Sequence, residues 1–252
     1  MIYTGTAAWS IPKIAAEHFP EVGTHLERYS KILNAVEINT TFYKDHLPKS
    51  FRKWAESTPA DFRFSVKLNK RFTHECGLSV DIADLSANLE GISELGEKWR
   101  VLLVQFPKSQ NFNETLMDRF YKTIRDHFNG VIALEARNLT WMSEESIKLM
   151  KKYNVSKVIA DPEVCPNFIE SEISYYRLHG SPEIYKSDYP QSYLDNLYEE
   201  MKKLDKEVWC IFDNTTFGYA TQNAVTIINK GDHYERYQRP HDNRTLDLYT
   251  AH

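Results

Sequence analysis

The sequence alternates short β-rich runs with amphipathic helical segments from one end to the other, and this alternation limits the fold more than any other feature. The β-rich runs are Ile2–Thr6, Val36–Thr41, Arg63–Leu68, Val101–Phe106, Val131–Arg137, Ser156–Asp161, Ser174–Gly180 and Glu207–Asn214. Strands that alternate with helices pair in parallel through right-handed crossovers. Eight such units in 252 residues predict an α/β fold, a single (β/α)8 TIM-type barrel that occupies the whole chain.

The segments between the strands have the apolar spacing of helices that pack on a sheet. The predicted helices are Lys49–Glu56, Leu85–Lys98, Glu114–His127, Glu144–Tyr153, Tyr193–Leu204 and Tyr219–Asn229. Asn113 and Ser143 are predicted N-caps of two of them. The sixth unit has no clear helix, because Pro162–Ile173 contains two prolines and little helical periodicity. We expect the polar tail 232–252 to pack on the barrel.

An open, doubly wound sheet is the main alternative to a barrel. No predicted strand is followed by a GxGxxG or GxxxxGK[ST] loop, so the usual nucleotide-binding fingerprints of open sheets are missing. No linker rich in proline, glycine or serine divides the chain. Both observations favour the barrel.

Charge and cysteine content exclude several classes of protein. The net charge of −4 provides no general field that attracts polyanions, so nucleic-acid binding would need a local basic patch. Cys76, Cys165 and Cys210 are far apart and form no CxxC pair, which argues against a disulfide framework and a cysteine-rich metal site. The N-terminus does not have the pattern of a signal peptide, and no apolar stretch is long enough to span a membrane. We therefore expect a cytoplasmic protein.

Ionisable residues gather where the predicted strands end. Because both faces of a barrel strand are buried, a charge inside the barrel costs several kcal/mol unless it is paired or solvated. A solvated reaction pocket at the carboxyl ends of the strands accounts for so many charges. The predicted catalytic residues are Glu37, Lys67, Glu135, Asp161, His179 and Asp213.

Strand alternation places residues two apart on one face, so Glu135 shares a face with Arg137. The predicted substrate-binding residues are Trp9, Asn39, Tyr43, His74, Gln105, Arg137, Trp141, Arg177, Tyr185 and Asn214. The alternative is a structural network, in which Glu135–Arg137 and Asp161–Arg177 neutralise each other.

These charges favour an enzyme that acts on a small anionic substrate, such as a sugar phosphate or an acidic sugar. Lys67, Arg137 and Arg177 are the cations that would bind the anion. Glu135 or His179 is the expected general base, and Lys67 the electrophile or acid. Schiff-base chemistry at Lys67 is a narrower version of this hypothesis.

Two other classes of function remain open. A metal-dependent phosphodiesterase or nuclease would use strand-end ligands, although no HxH or HExxH motif is present and no cofactor is otherwise predicted. A non-enzymatic binder of single-stranded nucleic acid or carbohydrate would stack on aromatic residues of the mouth. These aromatic residues are Trp9, Phe42, Tyr43, Trp141, Tyr185 and Tyr189.

Several of these motifs resemble the Domain of Unknown Function 72 (YecE-like) family. The resemblance rests on Val36–Tyr43, Phe62–Lys67, Gln105–Pro107, Glu135–Arg137, Tyr176–Gly180 and Phe212–Asn214, together with Trp9, Trp54, His74, Trp141 and Asp161. It implies a TIM-type barrel and does not supply a reaction. The chain departs from the family pattern at Ala7-Ala8, where family members usually have Ser-Gly, so a ligand contact through that serine would be lost beside Trp9.

Overall fold

The computed structural model of the protein describes residues 1–166 and 169–231, which contain one sheet of eight parallel strands. The strands are β1 (Ile2–Thr6), β2 (Ala35–Ile38), β3 (Arg63–Lys67), β4 (Trp99–Gln105), β5 (Val131–Glu135), β6 (Val155–Asp161), β7 (Ile173–Leu178) and β8 (Glu207–Phe212). Their order in the sheet is β1-β8-β7-β6-β5-β4-β3-β2. A parallel bridge between Ala7 and Glu37 joins the two outermost strands, so the sheet curls into a nearly closed barrel. The predicted fold class is therefore confirmed.

Helices surround this barrel on its outer face. Within the described ranges the α-helices are α1 (His25–Ser30), α2 (Pro48–Glu56), α3 (Ile82–Ile92), α4 (Glu114–His127), α5 (Glu144–Lys152), α6 (Gln191–Lys202) and α7 (Tyr219–Ile228). Both predicted N-caps are confirmed, since Asn113 accepts a hydrogen bond from the Leu116 amide and Ser143 accepts one from the Ser146 amide. None of these helices is long and apolar enough to cross a bilayer.

The sixth unit differs from the others. Between β6 and β7, residues 162–166 and 169–172 form no helix. The outer face of β6 is consequently less covered, and the side chain of Ile159 is 39% exposed. The predicted tail 232–252 lies outside the described residues.

Several predicted boundaries were wrong at the carboxyl ends of the strands. β2 ends at Ile38 and not at Thr41, because Asn39 already has helical dihedral angles and opens a 3-10 turn. Likewise, the predicted strands β5, β7 and β8 extended two residues too far. The predicted helix Leu85–Lys98 is α3 followed by a 3-10 segment, Ser93–Lys98, which is interrupted at Gly96 with φ +59°. The polar residues that ended these predictions belong to loops at the mouth of the barrel.

Two apolar layers limit where a ligand could enter the interior of the barrel. One lies between the sheet and the helices, and the other fills the interior of the barrel. Within the barrel, Trp209 stacks on Tyr175 at 5.9 Å and lies 5.0 Å from Tyr3 on its other side. These aromatic rings fill the lower part of the barrel, so the polar interior is confined to the end where the strands finish.

Candidate active site

A fully buried arginine organises the carboxyl-terminal mouth of the barrel. Arg177, on β7, donates through Nε and Nη2 to the carboxylate of Glu37 at 2.9–3.2 Å. Its Nη1 donates to Glu135 Oε2 at 3.1 Å, and its Nη2 lies 2.8 Å from Asp213 Oδ2. One guanidinium therefore holds three carboxylates that come from β2, β5 and the end of β8. We call Arg177, Glu37, Glu135 and Asp213 the carboxylate cluster.

Glu37 forms the floor of this cluster. It is fully buried, and the hydroxyl of Tyr175 lies 2.9 Å from its Oε2 and 2.8 Å from Ser65 Oγ. With Arg177 above it and Tyr175 below it, Glu37 has no access to a ligand. Its chemical effect is to fix the orientation of the guanidinium.

Glu135 is held as an anion. Its Oε1 accepts hydrogen bonds from Gln105 Nε2 at 2.7 Å and from Arg137 Nε and Nη2 at 2.9 and 2.6 Å. The predicted Glu135–Arg137 pair therefore forms. Burial alone would raise the pKa of Glu135, but Arg177 and the other nearby cations offset burial and hold this pKa well below its usual value. Glu135 stays ionised and orients Arg137 towards the mouth.

His179 uses both ring nitrogens within the protein. Its Nε2 accepts from Arg177 Nη1 at 2.6 Å, and its Nδ1 lies 3.2 Å from the carbonyl oxygen of Asp161. This pattern assigns a neutral ring that is protonated on Nδ1. Burial and the charge of Arg177 lower the pKa of His179 to about 4, in agreement with a neutral ring at pH 7.

Two groups at the mouth have pKa values shifted towards neutrality from opposite sides. Burial, followed by the charge of Arg177, lowers the pKa of Lys67 to about 8. Burial raises the pKa of Asp213 to about 6 despite its contact with Arg177, because that guanidinium is shared with other carboxylates. The ammonium of Lys67 lies 4.2 Å from the centroid of the Phe42 ring and makes no hydrogen bond or ion pair with any described residue.

A cavity of about 300 Å³ opens beside this cluster, between the ends of β5, β6 and β7. Its polar lining residues are Lys108, Glu135, Arg137, Glu163, His179 and Tyr185. Its apolar lining residues are Ala136, Val158, Ala160, Pro162, Val164 and Ile184. We call it the main cavity. Its size is at the lower end of the range typical of small-molecule sites.

Asp161 lies outside the carboxylate cluster. In the sheet it pairs with Leu178, whose side chain faces the helices, and its Oδ2 accepts a hydrogen bond from the Tyr189 hydroxyl at 2.6 Å. The Asp161–Arg177 ion pair of the structural alternative therefore does not form, and Arg177 pairs with Glu37, Glu135 and Asp213. The strand period places Asp161 on the opposite face from Arg177.

Asn214 also has a supporting position. Its Nδ2 donates to the carbonyl of Ser187 and to Asn223 Oδ1, both at 2.9 Å, and its side chain is fully buried. It ties the loop after β7 to α7.

The predicted aromatic residues do not form one surface. Trp141 is buried, stacks on Phe106 at 4.7 Å and donates from Nε1 to the Gln110 carbonyl, so it packs the loops after β4 and β5. Trp9 contacts Trp54 edge-on at 5.1 Å, and with Asn39 it lines a separate cavity of about 140 Å³.

The remaining aromatic predictions fall in three places. Tyr43 is 71% exposed and packs its edge on Phe42. His74 is exposed and meets the same Phe42 ring edge-on at 5.0 Å. Its Nδ1 lies 2.8 Å from Thr73 Oγ1. Tyr185 lines the main cavity, whereas the ring of Tyr189 is buried.

Sequence reasoning missed several residues of the site. Tyr175 stands two residues before Arg177 on the same face of β7, so strand alternation carried enough information to find it. Lys108 and the apolar wall of the main cavity gave no comparable signal. In the ranges 1–166 and 169–231, no group of three or more His, Cys, Asp or Glu side chains is arranged to hold a metal ion.

Comparisons with known proteins support the family resemblance. Residues 3–245 match the family model described as protein of unknown function DUF72. The UPF0759 protein YecE of Escherichia coli K12 is 39% identical over 79 residues, which are 31% of this chain and 27% of YecE. The UPF0759 protein YunF of Bacillus subtilis is 25% identical in an alignment that covers 99% of this chain and 100% of YunF.

Solved structures have the same architecture. A DUF72 family protein from Thermotoga maritima superposes with a TM-score of 0.72 at 25% identity, and the match covers 91% of this chain and 98% of that one. A DUF72 family protein from Enterococcus faecalis gives a TM-score of 0.75 at 23% identity over 91% of this chain and 96% of its own, a likeness of fold alone.

Proposed function

The chain belongs to the DUF72 family, and from the chemistry of its barrel mouth we propose that it is an enzyme that transfers protons on a small anionic substrate. The substrate binds at the carboxyl ends of the strands, which is where TIM-barrel enzymes carry out their chemistry. Arg137 and Lys67 attract the anion, and Asp213 and Lys67 exchange protons with it.

The opposed pKa shifts of Asp213 and Lys67 are the observation that carries this proposal. An acid–base catalyst works best when its pKa lies near the working pH. With pKa values of about 6 and about 8, Asp213 is mostly a base and Lys67 mostly an acid at pH 7. Titratable groups whose pKa values are shifted this far by burial and nearby charges, and that lie in a cleft, are typical of functional sites.

The other members of the cluster position these two groups. Glu37 and Glu135 hold Arg177, whose charge adds to burial in lowering the pKa of Lys67 and opposes the burial that raises the pKa of Asp213. Asp213 takes the role of general base that the sequence predicted for Glu135 or His179. The pKa of Glu135 is too low for that role, and His179 already uses both ring nitrogens.

The experiment is a search for turnover. Wild-type protein is incubated with mixtures of small carboxylic acids, sugar acids and phosphate esters, and the mixtures are followed by ¹H and ³¹P nuclear magnetic resonance. We expect conversion of at least one anion, and a fall in its rate of at least about 100-fold in Asp213→Asn and in Lys67→Met.

The matched control is Asp205→Asn, which removes an exposed carboxylate just before the opposite end of β8 and should leave the rate unchanged. Two outcomes would overturn the proposal. One is turnover that survives Asp213→Asn within threefold. The other is turnover abolished by EDTA and restored by a divalent cation, which would favour a metal-dependent phosphodiesterase.

A further inference from the structure

The apolar residues that line the main cavity narrow the ligand class further than its charged lining residues do. Six of its lining residues are apolar, and they come from β6 and from the loops that follow β5, β6 and β7. Along this wall a sugar would bury hydroxyl groups without partners, and each such hydroxyl costs about 1–3 kcal/mol. An apolar ligand body instead gains free energy from the same wall.

The two carboxylates that line this cavity are paired with cations of the protein. Glu163 is neutralised by Lys157 at 3.0 Å, and Glu135 is neutralised by Arg137 and Arg177. The exposed side chain of Lys108 has no hydrogen bond or ion pair among the described residues. Among the charged lining residues, Lys108 is therefore the one without an ion-pair partner in the described part of the chain, and its charge is positive. Arg137 and Lys108 together suit a singly charged carboxylate.

Tyr185 completes the cavity in an unusual conformation. Its φ of +69° lies in the left-handed region, which costs a bulky residue about 1–2 kcal/mol. The conformation is held from both sides, because the Tyr185 amide donates to the His179 carbonyl and the Tyr185 carbonyl accepts from the Thr216 amide. The ring remains 41% exposed and meets His179 edge-on at 5.9 Å.

A strained backbone that holds a large ring half-exposed over a cavity needs a reason outside the packing of the core. Core burial does not compensate the strain here, since so much of the ring faces solvent. A ligand that stacks on the ring would compensate the strain, because aromatic rings favour offset or edge contacts with other flat groups. The half-exposed ring of Tyr185 at this cavity therefore points to a planar ligand.

We propose that the main cavity binds a planar aromatic carboxylic acid, with its ring between Tyr185 and the apolar wall and its carboxylate on Arg137 and Lys108. This inference goes beyond the proposed function, because neither Lys67 nor Asp213 lines the main cavity, and it names the ligand class of that cavity. It also departs from the sequence-based expectation of a sugar phosphate or an acidic sugar, because that ligand class does not suit the wall.

Equilibrium binding tests the inference with defined probes. Sodium benzoate and phenylacetate are titrated into the full-length protein by isothermal titration calorimetry, beside gluconate, glucose 6-phosphate and inorganic phosphate. We expect the aromatic acids to bind at least tenfold more tightly than the other three. Arg137→Gln should weaken benzoate at least tenfold, and Tyr185→Ala should weaken it several-fold, whereas Tyr185→Phe keeps the ring, loses the hydrogen bond to Arg137 and should lose less affinity than Tyr185→Ala.

Arg52→Gln is the matched control for loss of a guanidinium, because Arg52 pairs with Glu94 on the outer helical layer. Tighter binding of gluconate or glucose 6-phosphate than of the aromatic acids would overturn the inference and leave the proposed function standing. Benzoate affinity that does not change in Arg137→Gln would place the acid elsewhere and overturn the inference alone. Failure of all five probes to bind would overturn the inference alone, because the turnover experiment decides the proposed function.

Discussion

At the scale of single residues, Arg177 shows how a buried charge is tolerated in a barrel. Desolvating a guanidinium is expensive unless its donors are satisfied by well-placed partners. Here Glu37 and Glu135 occupy its donors from two sides, and Asp213 and His179 complete the shell. Three carboxylates share this one guanidinium, and Glu135 has Arg137 as a second cationic partner. Burial raises the pKa of Asp213, and the shared guanidinium does not offset that rise.

Ala8 is a residue under backbone strain. Its φ is +99°, where a side chain is disfavoured, and its amide and carbonyl are both held, by the Glu37 carbonyl and the Thr6 hydroxyl. We expect Ala8→Gly to raise the free energy of unfolding by about 1 kcal/mol, or the melting temperature by about 2–4 °C, as measured by differential scanning calorimetry.

Ala7→Gly is the matched control for this change. Ala7 is buried and packs in the apolar interior of the barrel, so loss of its methyl group should lower the melting temperature. A lower melting temperature for Ala8→Gly as well would mean that its conformation carries no strain.

At the scale of elements, the seam between β1 and β2 is closed largely by side chains. The hydroxyl of Tyr29, on α1, accepts from the Thr6 amide at 2.9 Å and donates to the Ala35 carbonyl at 3.1 Å. Asn34 bridges the strands in the same way, through the Thr4 amide and the Ile2 carbonyl. These side chains take the place of ladder hydrogen bonds at the point where the barrel closes.

Tyr29→Phe tests this closure. Removal of the hydroxyl leaves the buried Thr6 amide and Ala35 carbonyl without this partner, and each unsatisfied group costs about 1–3 kcal/mol. We expect the free energy of unfolding to fall by about 3 kcal/mol, as measured by urea unfolding followed by circular dichroism.

Tyr121→Phe provides a close comparison, since the Tyr121 hydroxyl is buried with no hydrogen-bond partner among the described residues. Its removal should leave stability unchanged or increase it. Equal losses in the two variants would show that the Tyr29 hydroxyl does not bridge the seam.

At the scale of the whole molecule, the buried Lys67 makes the free energy of unfolding vary with pH in the alkaline range. The pKa of Lys67 falls from 10.5 to about 8 on folding, so between these values the unfolded chain binds a proton that the folded chain does not. The free energy of unfolding therefore rises with pH in this window. The contribution of neutral Lys67 to it is lost as pH falls through 8. Above pH 10.5 the contribution is complete.

Lys67→Met isolates this effect, because tyrosine ionisation occurs in both proteins and cancels in the difference. Relative to this variant, the wild type should gain about 3 kcal/mol of unfolding free energy between pH 7 and 10.5. Urea unfolding at a series of pH values measures the difference. A difference that stays flat across this range would mean that Lys67 is not desolvated.

Local patterns predicted part of the candidate site correctly. Glu135 and Arg137 lie two residues apart at the end of one strand, so strand alternation was enough to pair them. Alternation failed for Asn39, because the strand had already ended before it. The burial of Trp141 was not predictable, because Phe106 comes from a different loop.

By itself, the sequence determined the order of strands and helices and the location of the candidate site's ionisable residues at the carboxyl ends of strands. Apolar periodicity is a local property, and parallel strands bring all their carboxyl ends to one side of the barrel. Only the tertiary structure decided which charges meet. Arg177 contacts Glu37 across 140 residues of chain, and the pKa values of Asp213 and Lys67 follow from burial that distant segments create together. Coulomb energies and desolvation depend on distances in space, and a sequence pattern does not contain those distances.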